Sequence, residues 1–169
     1  VNAMLRGAMQ ELRIGNPADI RTDIGPVIDD EAQRLLEEHS RKLGSFATPI
    51  HTCSLDDEAT ANGTFFAPRA YEIDSLARLH RQIFGPVLHV IRYDAEQLDA
   101  VTDAINASGD GLTLGIHSRI DETVEKISRR IRAGDCYVNR NMIGAVVGVQ
   151  PFGGEGLSGT GPKAGGPHY

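Results

Sequence analysis

The fold is decided by the stretch from Val87 to Asn139, which reads VLHVIRYDAEQLDAVTDAINASGDGLTLGIHSRIDETVEKISRRIRAGDCYVN. It contains short apolar runs that predict strands and amphipathic segments between them that predict helices. The predicted strands are Val87 to Tyr93, Leu112 to His117 and Cys136 to Asn139. Since the connections are short, this β-α-β-α-β order favours a mostly parallel sheet flanked by helices, with right-handed crossovers, and places the chain in the α/β class.

Both helices of this stretch carry start and stop signals. Asp94 is positioned to cap the first helix, which is predicted to end near Ala107, just before Gly109. Asp121 opens the second helix, and Gly134 stops it, because glycine tolerates the left-handed conformation that ends many helices. The signals agree with the periodicity, so the boundaries of these two helices are the best defined of the chain.

The flanking regions predict further elements of the same kinds. Val1 to Arg13 has the spacing of an amphipathic helix that Gly15 stops, and because no cap precedes Val1 we expect this helix to belong to a larger domain. A helix is predicted from Asp30 to Leu43, capped by Asp29 or Asp30. Strands are predicted at Ser45 to Cys53 and at Thr64 to Ile73, where Pro68 indicates an edge strand or a bulge. Gly144 to Gln150 is compatible with a strand, and Pro151 to Tyr169 is predicted to be a loop.

Composition excludes several classes of protein. A chain of 169 residues with 40% hydrophobic residues can bury a core, which excludes intrinsic disorder. Two cysteines exclude a disulfide scaffold and indicate a reducing compartment, so we expect a cytoplasmic location. A net charge of −6 argues against a broad nucleic-acid surface, and no apolar run approaches the roughly 20 residues of a membrane span.

Metal chemistry has little support in the sequence. The six histidines show no i, i+4 pair of the kind that binds a metal on one helix face. His89 and His117 fall in predicted strands, where a hydrogen-bonded histidine is the usual outcome. The acidic run of Asp56, Asp57 and Glu58 is typical of a solvated loop. We therefore predict no metal site.

Neither cysteine is predicted to act as a nucleophile. Cys53 has no activating neighbour in the sequence, and Cys136 begins an apolar strand, where a buried, unreactive thiol is expected.

The segment Gly154 to Gly159 fits the G-x-G-x-x-G pattern of dinucleotide-binding loops. That pattern requires a strand before it and a helix after it. Here Pro151 precedes it, while Pro162, Pro167 and three more glycines follow, which makes a helix improbable. We predict instead a glycine-rich loop that passes close to other backbone.

Four segments resemble motifs of the aldehyde dehydrogenase superfamily. Gln82 to Pro86, QIFGP, is similar to its E-[IV]-F-G-P motif. Pro151 to Gly154, followed by Leu157 to Gly159, resembles its C-terminal P-F-G-G…S-G motif. Between them, Asn106 to Gly115 resembles the N-x-x-x-Y-G-L segment with Asp110 in place of Tyr, and Tyr137-Val138-Asn139 matches the strand before the substrate loop.

One branch of this superfamily is matched more closely. Asn139 to Tyr169 is similar to the end of L-glutamate γ-semialdehyde dehydrogenase, also called pyrroline-5-carboxylate dehydrogenase, and Gly15 to Asp29 and Ile105 to Ile127 support the same branch. The resemblance is strongest to the form fused to proline dehydrogenase in bacterial bifunctional proline-utilisation proteins. It implies oxidation of L-glutamate γ-semialdehyde to L-glutamate with NAD in proline catabolism, a homo-oligomer, and FAD only where a proline dehydrogenase domain lies upstream.

The resemblance also assigns roles to individual residues. Gln82 stands where the family has a Glu that binds the nicotinamide ribose, and its neutral amide brings no charge to that position. Phe84 matches the Phe beside the nicotinamide. Gly144 and Ala145 match the loop whose backbone N–H groups anchor the α-carboxylate and amino end of the substrate. Phe152 matches an aromatic wall of the aldehyde tunnel.

The family's catalytic groups are not matched in this sequence. In the family, the nucleophilic Cys, the Glu that activates water, the oxyanion-binding Asn and the Rossmann half lie upstream of the segments matched here. The resemblance thus implies an incomplete catalytic domain, with residues 1–143 as its rear part and 144–169 as the substrate-anchor loop and the start of an oligomerisation segment. We expect the chain alone to be inactive and to need the N-terminal half of the enzyme as its partner.

Two other interpretations stay open at this point. The chain could be a stand-alone, non-catalytic binding or assembly module derived from the same fold. It could also belong to another semialdehyde dehydrogenase branch. Gly144 and Ala145 discriminate between the branches, because simple aldehydes do not need an anchor for an amino-acid end.

Overall fold

The computed structural model describes residues 1–56 and 58–169, which form two compact units, Val1–Arg92 and Tyr93–Tyr169. Asp57 of the acidic run lies outside the described residues. The first unit contains α1 (Asn2–Gln10), α2 (Asp30–Leu43), β1 (Thr48–Thr52), β2 (Arg69–Glu72), a 3₁₀ turn (Leu76–Arg78) and β3 (Val87–Val90). The second contains a 3₁₀ turn (Ala95–Gln97), α3 (Leu98–Ala107), β4 (Asp110–Gly111), β5 (Thr113–Ile116), α4 (Asp121–Arg130), β6 (Asp135–Val138) and β7 (Glu155–Gly156).

The sheet of the first unit has β2 at its centre. β2 pairs antiparallel with β1, which is bulged between Pro49 and His51, and parallel with β3. The prediction that Pro68 marks an edge strand or a bulge in its own strand is therefore wrong. Pro68 lies just before β2, where its missing N–H breaks no ladder bond, and its carbonyl accepts the N–H of Cys53 at 2.9 Å.

The two helices of the first unit cover its sheet through apolar side chains. Met9 of α1 packs with Ile50, Cys53 and Ala70, and Leu43 of α2 forms a second cluster with Tyr71 and Ile73. The capping of α2 is as predicted, since the Asp29 carboxylate accepts the N–H of Ala32 at 2.7 Å. The remaining fully buried large side chains are Leu36 and Phe66.

His89 of β3 is hydrogen-bonded, as predicted. Its Nε2 lies 2.9 Å from the Nε2 of His39 on α2, and the rings meet edge to face. Burial lowers the pKa of both imidazoles, so both rings are neutral at pH 7 and one of them donates to the other. His117 differs from the prediction, because it lies one residue beyond the end of β5.

In the second unit, β5 and β6 form the parallel pair that the sequence predicts. Asn106 at the end of α3 joins the two helices, because its amide donates to the carbonyl of Arg130 and accepts the N–H of Arg132, both at 2.9 Å. The predicted starts at Asp94 and Asp121 are confirmed, with one turn of 3₁₀ helix before α3. The chain is therefore of the α/β class, with parallel pairs β2–β3 and β5–β6.

The segment from Gly144 to Gln150 is an exposed loop and not a strand. Gly144 has φ +50° and Gly148 has φ +80°, both in the left-handed region, which a strand cannot contain. Its valines satisfy the strand pattern in the sequence, yet Val147 is 99% exposed. The glycines therefore override the β-propensity of the valines here.

The glycine-rich tail packs backbone against backbone, as predicted. β7 pairs with β4, and the N–H of Leu157 donates to the carbonyl of Gly109 at 2.9 Å. A β-carbon on Gly134 would overlap the carbonyl oxygen of Gly153, and one on Gly159 would overlap that of Gly154. Among the described residues no helix follows the G-x-G-x-x-G segment, so it does not have the setting of a dinucleotide loop. None of the helices described is both long and apolar enough to cross a bilayer.

Candidate functional site

The first candidate segment is the loop from Gln82 to Gly85, which enters β3. Gln82 is exposed, and the Phe84 ring is 77% exposed. A phenylalanine with this exposure contributes little to the core, and its ring is accessible to a planar ligand. The amide of Gln82 offers a donor and an acceptor without charge. The pair therefore fits a ligand with a flat ring and hydroxyl groups.

Gly85 explains how this loop is held. Its φ is +147°, and a β-carbon there would lie 2.6 Å from both δ-carbons of Leu36. Leu36 is fully buried in α2, so it has little room to withdraw. The loop backbone thus lies directly on α2, and this contact fixes the position from which Phe84 projects.

The second candidate segment is the Gly144–Gln150 loop, which is fastened by Tyr137. The Tyr137 hydroxyl donates to the carbonyl of Gly144 at 2.9 Å and accepts from Nε2 of Gln150 at 2.8 Å. Tyr137 projects inward from β6 and is 6% exposed. One buried phenol therefore holds both ends of the loop.

The backbone N–H groups of Gly144 and Ala145 donate to no acceptor among the residues that the structure describes. Two successive free N–H groups beside a left-handed residue form a concavity that binds anions, with a carboxylate as a suitable ligand. These are the two positions to which the resemblance assigns the substrate anchor, and that role stays a prediction.

A cleft of about 440 Å³ lies beside the loop and is lined by Tyr137, Gln150, Arg140 and Lys163 among others. The Arg140 guanidinium stacks on the Tyr137 ring, 4.9 Å from its centroid. Lys163 bonds to the carbonyl of Gly134 and lies 3.8 Å from the buried Asp135 carboxylate. The cleft walls therefore combine an aromatic face with two cationic side chains.

Phe152 lies at the start of the tail and is half-buried. Its backbone pairs with Ala164 in both directions, with N···O distances of 3.0 and 2.9 Å. The backbone is thus fixed while part of the ring stays open to solvent, which suits an apolar wall.

Neither thiol is set up as a nucleophile. Cys53 is buried, donates to the carbonyl of Met9 at 3.3 Å, and has its pKa raised by burial. The prediction that Cys136 is buried is wrong, because β6 alternates and Cys136 points outward between the buried Asp135 and Tyr137. Partial desolvation still raises the pKa of the Cys136 thiol, so it does not become a thiolate readily.

Metal ligands do not gather in the parts of the chain that the structure describes, where no group of three or more His, Cys, Asp or Glu side chains is found. Sequence reasoning missed Tyr137 and Gln150 as functional residues. The alternation of β6 was a signal that Tyr137 points inward, but no sequence pattern shows that its hydroxyl reaches Gly144.

Comparison with known proteins identifies the family of the chain. The model of the aldehyde dehydrogenase family matches residues 1–169. The chain is 55% identical to the bifunctional protein PutA of Escherichia coli (strain K12), over 98% of this chain and 13% of that protein. It is 36% identical to a 1-pyrroline-5-carboxylate dehydrogenase of Geobacillus sp. (strain WCH70), over 95% of this chain and 30% of that protein.

Solved structures give the same relationship. A crystal structure of proline utilization A (PutA) from Bradyrhizobium japonicum superimposes with a TM-score of 0.93 and 51% identity, over 99% of this chain and 17% of that one. The chain thus spans only 13% of the length of its PutA relative from E. coli. The predicted resemblance is confirmed: this chain belongs to the aldehyde dehydrogenase family.

Proposed function

We propose that this chain is the substrate-anchoring part of an enzyme that oxidises L-glutamate γ-semialdehyde to L-glutamate with NAD, as a step of proline catabolism. The observation that carries the proposal is the pair of free N–H groups at Gly144 and Ala145. Relatives of the whole chain include the bifunctional protein PutA and a 1-pyrroline-5-carboxylate dehydrogenase, which supports the same substrate.

The proposed substrate matches the chemistry of the anchor. L-glutamate γ-semialdehyde carries a carboxylate and an ammonium group at one end and the aldehyde at the other. The free N–H groups of Gly144 and Ala145 bind its carboxylate, since bonds to a charged acceptor are stronger than neutral ones. Phe152 packs against the methylene groups between the two ends. The anchor therefore orients the aldehyde without reacting with it.

The cofactor segment is Gln82 to Phe84. Phe84 would lie beside the nicotinamide ring, and the Gln82 amide would bond to the ribose hydroxyls without bringing a charge to that position. NAD, when bound, supplies the hydride acceptor for oxidation of the aldehyde. FAD has no role in this proposal unless a proline dehydrogenase domain belongs to the same protein.

The proposal assigns the remaining catalytic groups to other parts of the enzyme. Residues 1–143 form the rear part of the catalytic domain, and 144–169 form the anchor loop and the start of an oligomerisation segment. The N-terminal half of the enzyme supplies the nucleophilic thiol and the base that activates water, and the enzyme is a cytoplasmic homo-oligomer. Support comes from the raised thiol pKa of both Cys53 and Cys136.

The isolated chain is expected to form no NADH from the semialdehyde. Neither thiol is activated as a nucleophile, because burial raises the pKa of Cys53 and partial desolvation raises the pKa of Cys136. The measurement is absorbance of NADH during incubation of the purified chain with aldehyde and NAD, with the complete gene product as the positive control. NADH formation above a heat-inactivated sample would contradict the expectation.

Ala145→Phe in the complete gene product tests the anchor. The bulky side chain blocks access to the N–H groups, so KM for L-glutamate γ-semialdehyde should rise by about 10- to 100-fold, the loss expected for hydrogen bonds to a charged group. KM for propanal, which has no carboxylate, should change by less than about twofold.

Val147→Phe is the matched control for this test, because Val147 belongs to the same loop and is 99% exposed. It should leave both KM values near those of the unaltered enzyme. An equal rise in KM for the two aldehydes on Ala145→Phe would overturn the proposed substrate.

A further inference from the structure

We infer that Tyr137 and Gln150 are positioning residues that aim the N–H groups of the anchor loop at the substrate carboxylate. This inference rests on the proposed function and adds residues to it. It starts from a buried tyrosine whose hydroxyl bonds to the loop at both Gly144 and Gln150.

The direction of the two hydrogen bonds follows from the groups involved. The Gly144 carbonyl can only accept, so the Tyr137 hydroxyl must donate its single proton to it at 2.9 Å. The phenol oxygen is then free to accept from the amide of Gln150 at 2.8 Å. Gln150 thereby fixes the rotation of the hydroxyl, because its donor occupies the lone-pair side of the oxygen.

This arrangement determines where the N–H of Ala145 points. The carbonyl of Gly144 and the N–H of Ala145 belong to one planar trans peptide unit, in which they point in opposite directions. A hydrogen bond from Tyr137 to that carbonyl therefore turns the Ala145 N–H away from β6. With φ +50° at Gly144, the preceding N–H is held beside it.

Holding the loop in this form has a thermodynamic purpose. An exposed loop with two left-handed glycines, Gly144 and Gly148, samples many conformations when no other residue holds it, and ordering it on binding costs conformational entropy. Because the bonds of Tyr137 and Gln150 order the loop when the protein folds, this entropy is not lost again when the substrate binds. Arg140, stacked on the Tyr137 ring at 4.9 Å from its centroid, restricts the phenol further.

The test is Tyr137→Phe in the complete gene product, which removes the hydroxyl and keeps the ring. KM for L-glutamate γ-semialdehyde should rise about tenfold while kcat changes less than about twofold, because the lost bond orders a binding group and no reacting atom. KM for propanal should stay unchanged. Tyr93→Phe, at a tyrosine that is 48% exposed in the same unit, is the matched control and should alter none of these values.

Gln150→Leu provides a second, independent variant that leaves Tyr137 in place. It should raise KM for the semialdehyde by a smaller factor, about threefold, because the phenol still donates to Gly144 but is less well oriented. Since Gln150 is only half-buried, this variant folds even if Tyr137→Phe does not. An unchanged KM for the semialdehyde in Gln150→Leu, or an equal loss of activity towards both aldehydes in Tyr137→Phe, would overturn the inference.

The proposed substrate and the positioning role of Tyr137 are contradicted by different results. If Ala145→Phe raises KM for the semialdehyde more than KM for propanal and Tyr137→Phe does not, the anchor is supported and the positioning role is contradicted. If Ala145→Phe raises KM for both aldehydes equally, the proposed substrate is contradicted, and so is the positioning role that depends on it.

Discussion

Gly134→Ala should detach the glycine-rich tail from β6 and lower the free energy of unfolding of the second unit by about 3 kcal/mol or more. The new β-carbon would overlap the carbonyl oxygen of Gly153 and lie 2.9 Å from the α-carbon of Gly154. Both obstacles are backbone atoms, which cannot rotate away as the end of a side chain can. The tail must therefore move as a whole.

Movement of the tail also breaks polar contacts that depend on its position. The Gly153 N–H donates to the Asp135 carboxylate at 3.2 Å, and Lys163 bonds to the carbonyl of Gly134 itself. Asp135 is buried, so the loss of these partners leaves a carboxylate poorly compensated in the interior. This electrostatic penalty adds to the steric overlap, so Gly134→Ala is expected to lower the free energy of unfolding strongly.

The measurement for Gly134→Ala is urea unfolding followed by circular dichroism. Gly161→Ala is the matched control, because it lies in the same tail and a β-carbon there would meet no atom within 4 Å. The control should shift the free energy of unfolding by less than about 0.5 kcal/mol. Equal unfolding midpoints for the two variants would show that the tail does not pack against Gly134.

Gly85→Ala should destabilise the first unit by about 2–4 kcal/mol. Part of this is backbone strain, because φ +147° belongs to a region that is essentially restricted to glycine. The rest is overlap with Leu36, whose δ-carbons would lie 2.6 Å from the new β-carbon. The unfolding of purified protein in urea again gives the free energy.

A double-mutant cycle separates the two causes. Leu36→Ala alone should cost about 2–5 kcal/mol, the range for emptying a fully buried leucine site. In the double variant Gly85→Ala/Leu36→Ala the overlap is absent, so its total cost should be at least about 1 kcal/mol below the sum of the single variants. Strict additivity would mean that the Gly85 loop does not rest on α2. Gly7→Ala, at an open position of α1, should be neutral or stabilising and serves as the control.

The helices were predictable because their signals are local. Asp29 before α2 and Asp121 at the start of α4 set helix starts within a residue of the observed ones. The strands were less well predicted, because their partners lie far away along the chain. Nothing near Arg69–Glu72 indicates that it takes the central position between β1 and β3.

The candidate site divides in the same way. Gln82, Phe84, Gly144, Ala145 and Phe152 were identified from motifs in the sequence, and the roles given to them here are proposals. Tyr137 was quoted only as part of a matching strand. Burial of Cys136 was predicted wrongly, because apolar neighbours in the sequence do not show which face of β6 a side chain occupies.

By itself, the sequence determined the α/β class, the helix starts at Asp94 and Asp121 and membership of the aldehyde dehydrogenase family, because each depends on residues that are near neighbours in the chain or on motifs read in order. The predicted ends of two helices were too late, since α1 ends at Gln10 and α4 at Arg130. Only the tertiary structure decided which groups are left free to bind. The Tyr137 hydroxyl bonds to the carbonyl of Gly144 and to the amide of Gln150, and these bonds leave the N–H groups of Gly144 and Ala145 without an acceptor among the described residues. Such hydrogen bonds depend on distances and angles between residues in three dimensions, which cannot be derived from the order of residues in the sequence.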